Sequence, residues 1–178
     1  MKELKNDSRL NRIIFLFPIM FILHDGEEIL TMANWIKTNT SYLYGKVPEQ
    51  LHFVIDSVQM TTLEIAIAVL VELIILSVVT ILFVRAKHVS IWANLYTAII
   101  TIFFLNSFTH IFQSIVYGGY TPGVVTAVVV AFPYSLIVIR TLFRERIIVL
   151  RNFKIVPFIV ILFLPVVPLA HFIGRYFG

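Results

Sequence analysis

The chain has 178 residues, 59% of them hydrophobic and only 13% charged, with a mean hydropathy of +0.93. That composition lies outside the soluble globular range and leaves no room for a separate soluble domain once apolar spans are counted. Cysteine is absent, which excludes disulfides, thiolate ligands and cysteine nucleophiles, so any bound metal must use histidine, carboxylate, amide or water.

Residues 1–12 are polar and net basic, with Asp7 or Ser8 placed to cap a first helix. A first span follows over 13–31, and Pro18 predicts a bend because it frees a backbone carbonyl one turn earlier. The longest connection is expected over 33–60, with turn-forming residues KTNTSYLYGK at 37–46 and Pro48 opening an interfacial or re-entrant helix near 48–60. The second span is predicted at 61–83; an unbroken helix over 48–83 would reach roughly 54 Å, too long for an apolar core of about 30 Å, so a break or a protruding end is expected. The third span, 91–117, ends at Gly118-Gly119, and Thr121 and Pro122 read as cap and first residue of the fourth, 122–142. After a basic connector, a fifth span over 155–175 carries Pro157, Pro165 and Pro168 and should be kinked or locally unwound. The pattern predicts an all-α, polytopic membrane helical bundle of about five transmembrane helices, one integral membrane domain over 1–178.

Five spans divide the lysines and arginines into eleven on the side of the N-terminus and three (Lys37, Lys46 and Arg175) on the other. By the positive-inside rule the N-terminus is cytoplasmic and the protein is a multi-pass component of the cell membrane. This topology accounts for a sequence pI near 9.5, so the expected partner is the lipid bilayer, with a homo-dimer as an option, and no nucleic acid is required.

The first span contains a contradiction. Within an otherwise apolar run stand His24-Asp25-Gly26-Glu27-Glu28, although each acid near mid-bilayer costs roughly 2.5–3.5 kcal/mol. At about 100° per residue, His24, Glu27 and Glu28 share one helix face and Asp25 points partly away. A signal-peptide core over 13–23 is one reading, but no small-residue cleavage pattern follows it and the apolar character resumes at Ile29. A polar cluster that glues helices together is another. On the third span Asn106 and His110 are spaced i, i+4 and share a face. Counted at ~1.5 Å per residue from the cytoplasmic ends, Glu28 and Asn106 lie near ~22 Å, His171 near ~24 Å, and His110 and Glu64 near ~28 Å. His24 and Glu72 lie near ~16 Å. One pocket in the outer half of the bilayer is expected. In it His24, Glu27, Glu28 and His110 are candidate ligands of a divalent metal (zinc, iron or manganese), and Glu27, Glu28 and Asn106 are candidate catalytic groups. Glu64 and His171 are weaker candidates for positions around the ligands. Glu49 and His52 match the E-x-x-H spacing of di-iron bundles but stand beside Pro48 at a helix start.

The motifs His24-Asp25-Gly26-Glu27-Glu28, Asn106 to His110 and Tyr120-Thr121-Pro122-Gly123 resemble, in order, those of the HXXEE family of small multi-span bacterial membrane proteins. The resemblance covers the chain from about Phe15 to the last span. It implies a bacterial cytoplasmic-membrane protein with a polar site, and no established reaction. The motif chemistry is also similar to that of the CAAX-processing and bacteriocin-immunity membrane proteases. Met32 stands where that family's first motif has arginine, and Asn106 where its second has phenylalanine. Three functions fit these residues: a metal-dependent intramembrane hydrolase in which a glutamate activates water; a non-catalytic transporter or binding protein for a metal ion, proton or small polar ligand; and an iron-dependent lipid oxidoreductase.

Overall fold

The structure is a computed structural model that describes residues 8–86, 91–148 and 165–178, together with the single positions 157 and 161. Every regular element among these residues is helical: α1 (Ser8–Phe15), α2 (Phe17–Lys46), α3 (His52–Ser57), α4 (Thr62–Arg85), α5 (Ile91–Tyr117), α6 (Val124–Arg144) and α7 (Val166–Phe177).

The bend predicted at Pro18 is a break between α1 and α2 at Leu16. Pro18 has no N–H to give to the carbonyl of Ile14. The Tyr96 hydroxyl reaches that carbonyl at 3.5 Å, and the Tyr134 hydroxyl donates to the neighbouring Ile13 carbonyl at 2.8 Å. Two tyrosines from α5 and α6 therefore stabilise a helix break that the proline starts, and they tie it into the core.

Helix α2 corrects the expected boundaries. It does not end near residue 31 but continues to Lys46, through the stretch read as a connection, and at 30 residues it extends about 45 Å. The polar residues there do not form turns because they satisfy themselves along the helix. Thr31, Thr38 and Thr40 donate to the carbonyls one turn back (Glu27, Asn34 and Ile36) at 2.6–2.8 Å, and the Asn39 amide donates to Trp35 at 2.8 Å. The helix stops at Val47, where Pro48 forces extended backbone on the residue before it.

The helix expected near 48–60 is shorter than predicted: one 3₁₀ turn, Glu49–Leu51, and the six-residue α3. A break does separate it from the next span. Thr61 opens α4 with a capping box, its hydroxyl accepting from the Glu64 N–H while the Glu64 carboxylate accepts from the Thr61 N–H. The fourth span begins two residues later than expected, at Val124, because Gly123 turns the chain through a left-handed conformation (φ 82°). Thr121 does not cap it; its buried hydroxyl has no hydrogen-bond partner among the described residues. The fifth predicted span, 155–175, lies partly outside the described residues; its second half is described and forms α7, which runs on to Phe177.

The core sits where α1, α2, α4, α5 and α6 meet. Phe17 touches Tyr96 and Phe103 edge-on at 5.8 and 5.4 Å between ring centroids, and Phe83 stacks on Tyr96 at 4.7 Å. The opposite faces remain apolar and exposed: Leu63, Leu70, Ile74, Val78 and Ile81 form one stripe on α4, and Leu105, Phe108, Phe112 and Ile115 another on α5. Stripes of this kind suit a lipid environment. Helices α4, α5 and α6 are each long and apolar enough to cross a membrane.

Helix α7 packs against α4. The approach depends on Gly174, where a Cβ atom would run into the backbone carbonyl of Glu64 and reach the Ala68 Cβ at 3.4 Å. Rigid backbone cannot yield as a flexible side chain does. Gly174→Ala is therefore expected to destabilise the bundle by about 1–3 kcal/mol, measurable as a lower midpoint of thermal unfolding in detergent. An unchanged midpoint would show that α7 contributes nothing to the fold at this contact.

Candidate metal centre

Helix α2 brings His24, Glu27 and Glu28 to the face that meets α5 and the start of α6. Helix α5 contributes Asn106 and His110, one turn apart, and closes at Gly118 in a left-handed conformation (φ 79°). The turn that follows is fastened to α2: the Trp35 indole donates to the Tyr120 carbonyl at 3.0 Å, and the Tyr117 hydroxyl to Asn39 Oδ1 at 2.6 Å. Residues 120–126 are thereby laid across the HDGEE face.

His24, Glu28 and His110 converge. Glu28 Oε1 lies 2.8 Å from His110 Nε2 and 3.8 Å from His24 Nε2, and one ligand atom from each of the three residues falls within 4.8 Å of the others. Both histidines are buried and Glu28 is half-buried. Among the described residues, this is the group of three or more acid and histidine side chains able to hold a metal ion. Asn106 stands against it, its amide nitrogen 3.4 Å from His24 Nε2 and 3.2 Å from His110 Nε2.

The outer nitrogens of the two rings fix what the inner ones can do. His110 Nδ1 donates to the Pro122 carbonyl at 2.9 Å, and a carbonyl can only accept, so the Nδ1 atom carries a proton. His24 Nδ1 lies 3.0 Å from the Thr126 hydroxyl, which has one proton to give and a carboxylate to give it to, Glu27 Oε2 at 2.6 Å. The Thr126 oxygen therefore accepts from His24 Nδ1–H. Both rings present Nε2 inward, the atom that binds metal in a neutral imidazole. With Nδ1 protonated, His110 Nε2 and Glu28 Oε1 at 2.8 Å need a proton or a metal ion between them.

Glu27 has a different setting from its neighbour. Its carboxylate accepts from the Thr126 N–H at 2.8 Å, the Thr126 hydroxyl at 2.6 Å and the Tyr120 hydroxyl at 2.9 Å, and it stands outside the convergent group. The chain Glu27–Thr126–His24 has the form of a carboxylate that orients a ligating histidine through its far nitrogen. The other candidates lie elsewhere. Glu64 caps α4, and His171 Nδ1 donates to the Val167 carbonyl in its own helix, although its ring borders the same cavity as Glu28. His52 is occupied with the Val47 carbonyl at 2.9 Å.

Thr126 is not among the site residues expected from the sequence. Its signal was a lone threonine within the apolar run over 124–132. Five residues of π-helix, Ala127–Ala131, follow it, and Pro133 explains them: without an N–H it cannot serve the carbonyl of Val129, and the helix widens locally.

Gly123 is the narrowest point. A Cβ atom there would stand 2.7 Å from His110 Cε1 and Nδ1 and 3.0 Å from Glu28 Oε1, on a backbone whose positive φ disfavours any side chain. Gly123→Ala is expected to cost about 1–2 kcal/mol from the left-handed backbone alone, with the displacement of the His110 ring added. Gly119→Ala, where the nearest atom is a Tyr117 ring carbon at 3.4 Å, should leave the thermal midpoint nearly unchanged. Equal midpoints for the two variants would contradict this packing.

A family model described as a protein of unknown function with HXXEE motif matches residues 15–138. No curated protein and no solved structure matches the chain. The match takes in α2 from Phe17 onwards, α4, α5 and most of α6, and with them every residue of the convergent group. The chain therefore belongs to the HXXEE-motif family, whose function is unknown.

Proposed function

We propose that this is an integral membrane metalloprotein, in which His24, Glu28 and His110 hold one divalent ion and Glu27, through Thr126, holds the His24 ring in its binding orientation. The observation that carries the reading is the convergence of two inward-facing imidazole Nε2 atoms on a carboxylate oxygen. A helix-gluing cluster needs only one such pair; two rings with both outer nitrogens tied to acceptors are what a metal requires. Two nitrogens and one oxygen suit zinc, iron(II) or manganese(II). The eleven-to-three division of basic residues supports a cytoplasmic N-terminus in a cell membrane.

Three protein ligands leave a position for water or substrate, the pattern of catalytic rather than structural sites. Glu28 and His110 border a cavity of about 920 Å³, so that position would open onto it. This is the feature that favours hydrolysis, in which a bound metal supplies an activated water. Glu27 is then an orienting group and not the proton carrier, because the hydroxyls of Tyr120 and Thr126 and the backbone of Val125 and Thr126 engage its carboxylate.

The two glutamates should differ when each is replaced. The protein purified after growth with added metal, or reconstituted with zinc, should carry one ion per chain. Glu28→Ala and His110→Ala should lose it. Glu27→Gln should retain the site with an affinity weaker by about 10–100-fold. Elemental analysis with competitive chelator titration measures both quantities. Full loading of Glu28→Ala, with the helical content intact, would remove the ligand role from Glu28.

A further inference from the structure

The cavity beside the metal centre has a second acidic wall that the convergent group does not use. Asp25 follows His24 on α2 but points about 100° away from it, and only 8% of its surface is exposed. Its Oδ2 is buried and has no hydrogen-bond partner among the described residues. Asp25 borders the cavity together with Glu28 and with Glu72 of α4, and the three carboxylates lie within Coulombic reach of one another. Among the described residues that border the cavity the one lysine or arginine is Lys46, 18 residues along α2 from Glu28, or roughly 27 Å away; His110 and His171 border it too. A buried carboxyl oxygen with neither a cation nor a donor beside it among the described residues is costly, and such groups mark a ligand or ion path.

The remaining lining decides the ligand's form. Phe21, Ile65, Val69, Leu76 and Phe103 make the wall next to the acids apolar. At about 920 Å³ the space is near the upper end of the ~300–1,000 Å³ usual for ligand pockets. Asp25 and Glu72 do not join the tight group around His24, so a second bare metal ion is not favoured. An ammonium group spans wider gaps, since it carries three donors, each reaching an acceptor at about 2.7–2.9 Å.

We propose that Asp25 and Glu72 form a subsite for the ammonium head of an apolar amphiphile, a long-chain primary amine or a lipid bearing one, whose chain lies along the apolar wall beside the metal centre. The subsite extends the metal-centre reading but stands on different side chains, so either can fail alone.

Trp35 lines the same cavity and reports on its occupancy. The full-length protein in phosphatidylcholine nanodiscs, with Trp92→Phe to leave one indole, is titrated with dodecylamine and with dodecanol, each with and without chelator. Dodecylamine should half-saturate the Trp35 signal at a concentration at least tenfold below dodecanol's, whether or not metal is present. Asp25→Asn/Glu72→Gln should reduce that preference to twofold or less while leaving metal content as in the unaltered chain. If the double variant does not fold, Glu72→Gln alone, at a half-buried position, should reduce it to threefold or less. Equal affinity for amine and alcohol, or a preference that survives these substitutions, would overturn the subsite. Metal loss with the amine preference intact would count against the metal centre alone.

Discussion

A carboxylate placed inside an apolar helix has to be met by donors, and the way Glu27 is met organises this protein. Three donors reach it, the Thr126 N–H and hydroxyl and the Tyr120 hydroxyl. Hydrogen bonds to a charged group contribute roughly 1.5–3 kcal/mol each, against an effective cost of several kcal/mol for taking a charge out of water. The donors win, provided they are held in place. Tyr120 belongs to the segment joining α5 to α6 and Thr126 to the first turn of α6, so solvating Glu27 fastens that stretch across α2.

The rest of the site follows from that fastening. Once residues 120–126 lie on α2, the Pro122 carbonyl is fixed where His110 Nδ1 donates to it, and Gly123 must be a glycine because His110 and Glu28 occupy the space of a side chain. Thr126 passes the Glu27 charge on to His24. Both imidazoles are thus oriented by contacts on their outer sides, and their inner nitrogens meet Glu28 from two different helices. The two adjacent glutamates of the motif divide the work, one organising the shell and one facing the centre. Helix geometry makes this division natural, because neighbours on a helix point about 100° apart.

Much of this was legible in the sequence. The polar interruption of the first apolar run, the i, i+4 pairing of Asn106 with His110, and the glycines at 118 and 123 all point to the elements that meet. What could not be read was the direction of each polar contact. Thr126 is one hydroxyl in an apolar run, and nothing in its spacing says that it faces α2. Glu27 and Glu28 are chemically identical, and only the partner segment distinguishes them. The polar residues over 37–46 read as a turn because threonine and asparagine favour turns; in α2 the same side chains bond back to the helix and extend it by four turns. Glu64 was misleading for a related reason: a carboxylate near a span's end is as well suited to a capping box as to a buried site.

The central claim is that two imidazoles and one carboxylate converge on a single ion. X-ray absorption at the zinc edge of the reconstituted, full-length protein tests it most directly. The account predicts the multiple-scattering signature of two imidazoles, reduced to one in His110→Ala samples loaded at high zinc. A shell made of oxygen alone, or one that keeps both imidazoles after that substitution, would contradict it.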